Sequence, residues 1–144
     1  MMTDSKALQE FAQLLSEALG QTIKPVEERI DLVGDDPLDR VQIEQGRHDG
    51  LVHFMIPLHA YDESAQSVGD VVNLLLQLNA DVHQLGQARM AFNSAQGEFM
   101  LMDHFRPDLS GALTQLNDRR ALAQRIREAI RQVAVEQQSS PQEL

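Results

Sequence analysis

The chain contains no cysteine and no tryptophan, and Tyr61 is its single tyrosine in 144 residues. Without cysteine there can be no disulfide framework, no thiolate zinc site and no thiol nucleophile. Aromatic residues make up 4% of the chain, so a core must be built from Leu, Val, Ile, Met and five Phe. So few aromatics also argue against stacking on nucleic bases. Long apolar runs are missing too. The richest stretch, Val71-Val72-Asn73-Leu74-Leu75-Leu76, falls far short of the about 20 apolar residues that span a bilayer. The start, Met1 to Lys6, has neither the basic residues nor the apolar stretch of a secretory leader. These absences predict a cytoplasmic protein with no membrane insertion.

Positive charge is scarce: 12 basic side chains face 22 acidic ones, for a net charge of -10. Met1 to Asp70 holds 14 acidic and 5 basic residues, a half that repels phosphate backbones. The bias reverses between Asp118 and Glu136, where Arg119, Arg120, Arg125, Arg127 and Arg131 outnumber three acids. Five arginines on an otherwise acidic chain are expected to pair with nearby carboxylates rather than bind nucleic acid.

Motifs that carry chemistry are equally sparse. His53 and His59 share a strand face but lie roughly 20 Å apart at about 3.3 Å per residue, too far to share a metal. His83 and His104 can meet only through tertiary folding. Asp35-Asp36 and Glu27-Glu28 are neighbours in sequence that point apart into water, not a shared-proton pair. No nucleophile elbow, phosphate-cradling glycine loop or zinc spacing occurs. The expectation is no enzyme, with no catalytic residue, no metal and no cofactor. The competing reading is a small enzyme or ligand-binding domain with His53, His59 or Asp103 in a pocket.

The residues that are present set out a clear order of elements. Leu8, Phe11, Leu15, Ala18 and Leu19 recur at spacings of three and four, which makes one helix face over Asp4 to Leu19. Thr3, Asp4 or Ser5 can cap its start and Gly20 its end. A short irregular strand is expected within Gln21 to Asp36. Arg40 to Glu44 and Val52 to Leu58 alternate around a Gly- and Asp-containing loop, the mark of a hairpin. Pro57 cannot donate a ladder hydrogen bond and should stand at a strand end or edge. A second helix should run from Ser67 to about Leu85 and stop at Gly86. Its stripe of Val68, Val71, Leu75, Leu78, Val82 and Leu85 leaves Val72, Leu74 and Leu76 outside, so it needs cover on more than one side.

A second hairpin alternates through Ala88, Met90 and Phe92, then Phe99, Leu101, Asp103 and Phe105. Leu122, Ile126, Ala129, Ile130 and Val133 mark a last helix that begins near Ser110 or near Asp118. The expected fold class is α+β: one domain over residues 1–136, then a flexible tail over 137–144. A domain of this size buries roughly 68–70% of its unfolded surface. The spare apolar face of the second helix either lies under the sheet and last helix or closes a two-fold interface, and the interface is the favoured reading.

The order helix, three strands, helix, two strands, helix in an acidic chain resembles the Tir-chaperone (CesT-like) family of class I type III secretion chaperones. The resemblance is carried by Leu74-Leu75-Leu76-Gln77-Leu78-Asn79 in the helix, Gly86, the strand Ala88 to Phe92, the turn at Gly97, and Glu98-Phe99-Met100-Leu101-Met102. The opening helix with Phe11 and Leu15 fits as well.

The resemblance implies a homodimer with a twisted antiparallel sheet, holding a secreted effector soluble for export without ATP. By position it assigns Leu74, Leu78, Val82, Met90 and Phe92 to the dimer interface. It assigns Leu8, Phe11, Leu15, Val41, Ile43, Phe54 and Ile56 to effector-binding patches. Read singly, each of these residues is better placed in plain core. The loop from Ala60 to Gln66 is longer and more polar, and the last helix more basic, than the family pattern leads one to expect. An adaptor of the same fold that sequesters a regulatory protein is the alternative reading.

Overall fold

The structure, a computed structural model, describes residues 6–139. The proposed caps Thr3, Asp4 and Ser5, and residues 140–144 of the expected tail, lie outside the described residues. The elements in chain order are α1 (Lys6–Leu19), β1 (Arg29–Val33), β2 (Arg40–Gln45), β3 (Val52–Ala60), α2 (Val68–Ala80), α3 (Val82–Leu85), β4 (Arg89–Asn93), β5 (Glu98–His104) and α4 (Ala112–Ser139). The α+β class and the order of strands and long helices are as the periodicities predict.

Two local outcomes differ from expectation, each for a physical reason. The second helix does not run to Leu85. It ends at Ala80 because Asp81 turns extended and its carboxylate accepts the His83 and Gln84 amides, which starts the short α3. Gly86 then closes α3 at φ +61°, a conformation that glycine adopts without strain. Of the two expected starts the last helix takes the earlier, beginning at Ala112, and it runs through Ser139.

Pro57 sits inside β3 rather than at its end or on an edge strand. The β2 ladder stops at Met55, and the β5 register shifts between Pro57 and His59. A bulge where one neighbour has already ended leaves no ladder bond for Pro57 to break. Its carbonyl instead accepts from Arg127 Nη1 at 3.1 Å.

The five strands form one antiparallel sheet in the order β1-β2-β3-β5-β4. Alternation sends Ile30, Val41, Ile43, Phe54, Ile56, Met90 and Leu101 to the face where they join Leu8, Phe11, Leu15, Val71, Leu75, Leu122 and Ile126 of the helices. Phe105, just past β5, is central to this core. Its ring centroid lies 4.5 Å from Phe11 and 4.7 Å from Phe54, tying α1 to the sheet. Each such buried ring is worth about 1.5–3 kcal/mol in transfer free energy. The register puts Gln42, Met55 and Met102 in one row on the opposite face, with Glu44, His53 and His104 in the next. Met100, also on that face, is 1% exposed yet stands apart from the main core cluster.

The arginines of α4 pin it to the sheet. Arg119 Nε donates to Asp103 Oδ2 at 2.6 Å, and the Asp103 side chain is wholly buried. Gln87 Nε2 and the His104 amide donate to its other oxygen at 2.6 and 2.7 Å. Arg120 grips Asp39 with Nη2 at 2.9 and 2.8 Å from the two carboxylate oxygens. A Cβ on Gly34 would run into the Asp39 carboxylate that Arg120 holds, so a larger residue there has to displace this clamp. Buried Arg127 donates to the Leu38 and Pro57 carbonyls. Burial pushes its guanidinium below the ordinary value, while the Asp39 and Asp36 carboxylates oppose the shift. Arg131 pairs with Glu128 one turn away. The basic helix is thus largely a set of internal clamps.

The turn into β1 carries strain. Val26 and Arg29 exchange backbone hydrogen bonds at 2.8 and 3.1 Å, closing a two-residue reversal through Glu27 (φ +54°) and Glu28 (φ +63°). Two consecutive left-handed residues suit an asparagine followed by a glycine, not two glutamates. The double substitution Glu27→Asn with Glu28→Gly is expected to raise unfolding free energy by about 1–2 kcal/mol. A urea titration in which the midpoint stays put or falls would contradict this account of the turn.

Candidate functional site

Among the described residues no three His, Cys, Asp or Glu side chains are placed to hold a metal ion. His53 pairs across the sheet with His104, ring centroids 5.8 Å apart, and its Nε2 lies 2.8 Å from Asp49 Oδ2. Asp103 serves as the anchor of Arg119. The Leu51 amide first, and the His53 ring second, hold the Asp49 carboxyl below its usual range. At Asp62 the Ser64 hydroxyl and then the Ser64 amide do the same.

His59 has a different environment. Burial lowers its pKa, because the charged imidazolium loses solvation. Below about pH 6.5 the unfolded chain therefore binds a proton that the folded chain resists, and stability falls as pH drops. In His59→Gln this part of the acid dependence should vanish, flattening the melting temperature between about pH 7 and 5. An unchanged slope would assign the dependence elsewhere.

The sequence-predicted site residues divide by burial. Leu8, Phe11, Leu15, Val41, Ile43, Phe54 and Ile56 are all at most 3% exposed and belong to the core. In this conformation none of the seven offers its side chain to a partner. Leu74 and Leu78 are half-buried against the core and Met90 is buried, whereas Val82 and Phe92 are exposed.

Two apolar surfaces lie beside them. The first is a groove of about 220 Å³ between α2 and β4, lined by Val72, Leu75, Leu76, Met90, Phe92 and Phe99 with Asn79 and Ala91. Leu76 is 65% exposed and Phe92 46%. Tyr61 and Phe99 meet Phe92 with ring centroids 5.7 and 5.1 Å away, so the groove ends in an aromatic cluster. Apolar side chains this exposed and this contiguous mark a surface for another macromolecule.

The second surface is the outer edge of β1. Beside it runs a groove of about 370 Å³ lined by Gln21 to Lys24, Val26 and Arg29 to Val33. Val26 and Val33 flank it at 72% and 76% exposure. Ser16 Oγ accepts the Ile23 amide at 2.8 Å and donates to the Ala12 carbonyl, which holds the groove wall against α1. Strand β4 is the other edge of the sheet, but there Asn79 imitates a neighbouring strand. Its Oδ1 accepts the Met90 amide at 2.9 Å and its Nδ2 donates to the Met90 carbonyl at 3.4 Å. At Met90 the β4 edge is thus satisfied, and at Arg29 the outer side of β1 is closed by the bridge to Val26; beyond Arg29, at Asp31 and Val33, that side pairs with no strand among the described residues.

No protein-family model and no curated protein sequence matches the chain. Solved structures do. A chain of the ExsC–ExsE complex superposes at TM-score 0.70 and 12% identity, covering 90% of this chain and 97% of that one. A chain of the HopA1–SchA chaperone–effector complex follows at TM-score 0.65 and 9% identity, covering 89% and 96%. A third, from the heterodimeric ExoU–SpcU complex of the Pseudomonas aeruginosa type III secretion system, gives 0.56 and 22%, covering 85% and 93%. The fold is that of the type III secretion chaperones.

The likeness spans 85–90% of the chain. At these identities, the side chains lining the two grooves are this chain's own. No helix among the described residues is long and apolar enough to cross a membrane.

Proposed function

We propose that this protein is a cytoplasmic, ATP-independent chaperone of the class I, CesT-like kind. It binds the N-terminal chaperone-binding region of a secreted effector and keeps it soluble and competent for type III export. The outer β1 edge beyond Arg29, which ends at the exposed Val33, carries the reading. An extended segment can add there as a sixth strand, bonding through its backbone while its alternate side chains fill the adjoining groove. Backbone pairing asks little of the client's sequence, which suits a protein that holds an unfolded segment.

The α2–β4 groove is assigned to a homodimer contact. Phe92 from the expected interface stays in that contact with Met90 buried beneath it, and the exposed Leu76 and half-buried Val72 join them. Leu74, Leu78 and Val82 of the expected interface do not line this groove. The effector-facing role of the seven core residues is then indirect: Ile43 and Val41 hold β2, and through it β1, in place.

The edge assignment is tested with Val26→Asp and Val33→Asp together. Both side chains are mostly in water, so melting should change little, while effector binding should weaken by about tenfold or more, about 1.4 kcal/mol. Calorimetric affinity equal to that of the unaltered protein would remove β1 from the binding site.

A further inference from the structure

A third groove, of about 430 Å³, lies between the end of α2, α3 and the middle of α4, and shares no lining residue with either groove above. Leu78, Leu122, Ile126 and Ala129 form its floor, and His83, Gln84 and Arg125 its rim. On α4 the lining positions 122, 125, 126 and 129 are spaced i, i+3, i+4 and i+7, one stripe about 11 Å long at 1.5 Å per residue. Arg125 differs from its neighbours. Arg119, Arg120, Arg127 and Arg131 each hold a carboxylate or a carbonyl within the protein. Arg125 is exposed and, among the described residues, makes no ion pair or hydrogen bond.

We propose that this groove takes up an amphipathic helix of a partner protein, with leucine-type side chains on its inner face and an acidic residue set against Arg125. Its walls are helices, so they offer an incoming chain no row of backbone donors and acceptors. A segment lying there must satisfy its own peptide groups, which a helix does and an extended strand does not. The charge argument selects the acid. The first seventy residues carry a net charge of -9, whereas Asp118 to Glu136 carries five arginines against three acids. An acidic helix is repelled by most of the molecule and steered to this rim, where the guanidinium has no internal competitor. The contact is independent of the β1 edge, so it provides for a second partner while a client is held.

The test uses the full chain and a blocked peptide of about 14 residues, four helical turns. The peptide is built from Ala, Leu and Glu with leucines at i, i+3, i+4 and i+7, and a twin carries Lys for Glu. Amide NMR shifts on adding the Glu peptide should map to His83, Gln84 and Leu122 to Ala129. Arg125→Glu should weaken the Glu peptide by about tenfold and reverse the preference toward the Lys twin. Ala129→Trp, which fills the groove, should abolish binding of both. Melting temperatures near that of the unaltered protein serve as the fold control for both variants. Shifts that map elsewhere, or an affinity unmoved by Arg125→Glu, would overturn the proposal. So would a change in the protein's own mass by light scattering in either variant, because the groove would then belong to a contact between copies. None of these outcomes bears on the Val26 and Val33 test.

Discussion

Arg119→Met is expected to lower the unfolding free energy by about 3–5 kcal/mol, because it leaves the Asp103 carboxylate buried and without its cation. The side chain of Asp103 has no solvent exposure, so water cannot replace the 2.6 Å bond from Arg119. Gln87 and the His104 amide remain as donors, yet neither carries charge. The loss should be visible as a shift of the urea midpoint with an unchanged slope. Asp103→Asn in the same chain should restore much of it, since a neutral amide at that position needs no counterion. If the single variant loses less than about 1 kcal/mol, the anchor is not what joins α4 to the sheet. Stability that stays low in the double variant would assign the loss to packing of the arginine stem rather than to the orphaned charge.

Leu76→Asp together with Phe92→Asp should convert the proposed dimer into monomers at micromolar concentration. Both side chains stand well out of the α2–β4 groove, so the monomer fold does not depend on them. In a closed two-fold contact each substitution enters twice, placing four carboxylates in an apolar interface. Burying even one such charge unpaired costs several kcal/mol, enough to raise a dimer dissociation constant by a thousandfold or so. Light scattering reads the result directly. A variant that keeps the mass of the unaltered protein, or an unaltered protein that is monomeric already, would take the interface away from this groove. Leu78→Asp is a poorer probe, because Leu78 is half-buried against the core and its replacement also disturbs folding.

The elements that were easiest to read from sequence are those in which one pattern dominates. The alternation in Arg40 to Gln45, with buried Val41 and Ile43 between polar neighbours, has a single physical solution, and β2 adopts it. Helix α1 follows its stripe of Leu8, Phe11 and Leu15 in the same way. Where two influences compete, pattern alone is insufficient. The apolar stripe continues through Asp81, but the pull of its carboxylate on two amides breaks the helix there. Pro57 looks incompatible with a central strand until the β2 ladder is seen to end two residues earlier.

Surface and core were harder to separate, because burial depends on what tertiary packing brings together. Periodicity finds Phe11 and Phe54 as apolar positions, yet only the stack on Phe105 shows that both are interior. The edge-closing role of Asn79 could not be read from the sequence, since it requires knowing where Met90, eleven residues away, lies. The arginines of α4 were legible as a charge bias and as expected carboxylate partners. That Arg125 differs from the rest follows only from the distances. Backbone strain at Glu27 and Glu28 is likewise invisible in a sequence whose residues do not favour that turn.

The central claim is that the chain holds the N-terminal region of a secreted protein. It is tested most directly by co-purifying the tagged chain from its own host and weighing the complex by light scattering and mass spectrometry. The account predicts one dominant exported protein, one copy per two copies of this chain, lost when the N-terminal region of that protein is deleted. A chain recovered alone, or a partner retained after that deletion, would contradict it.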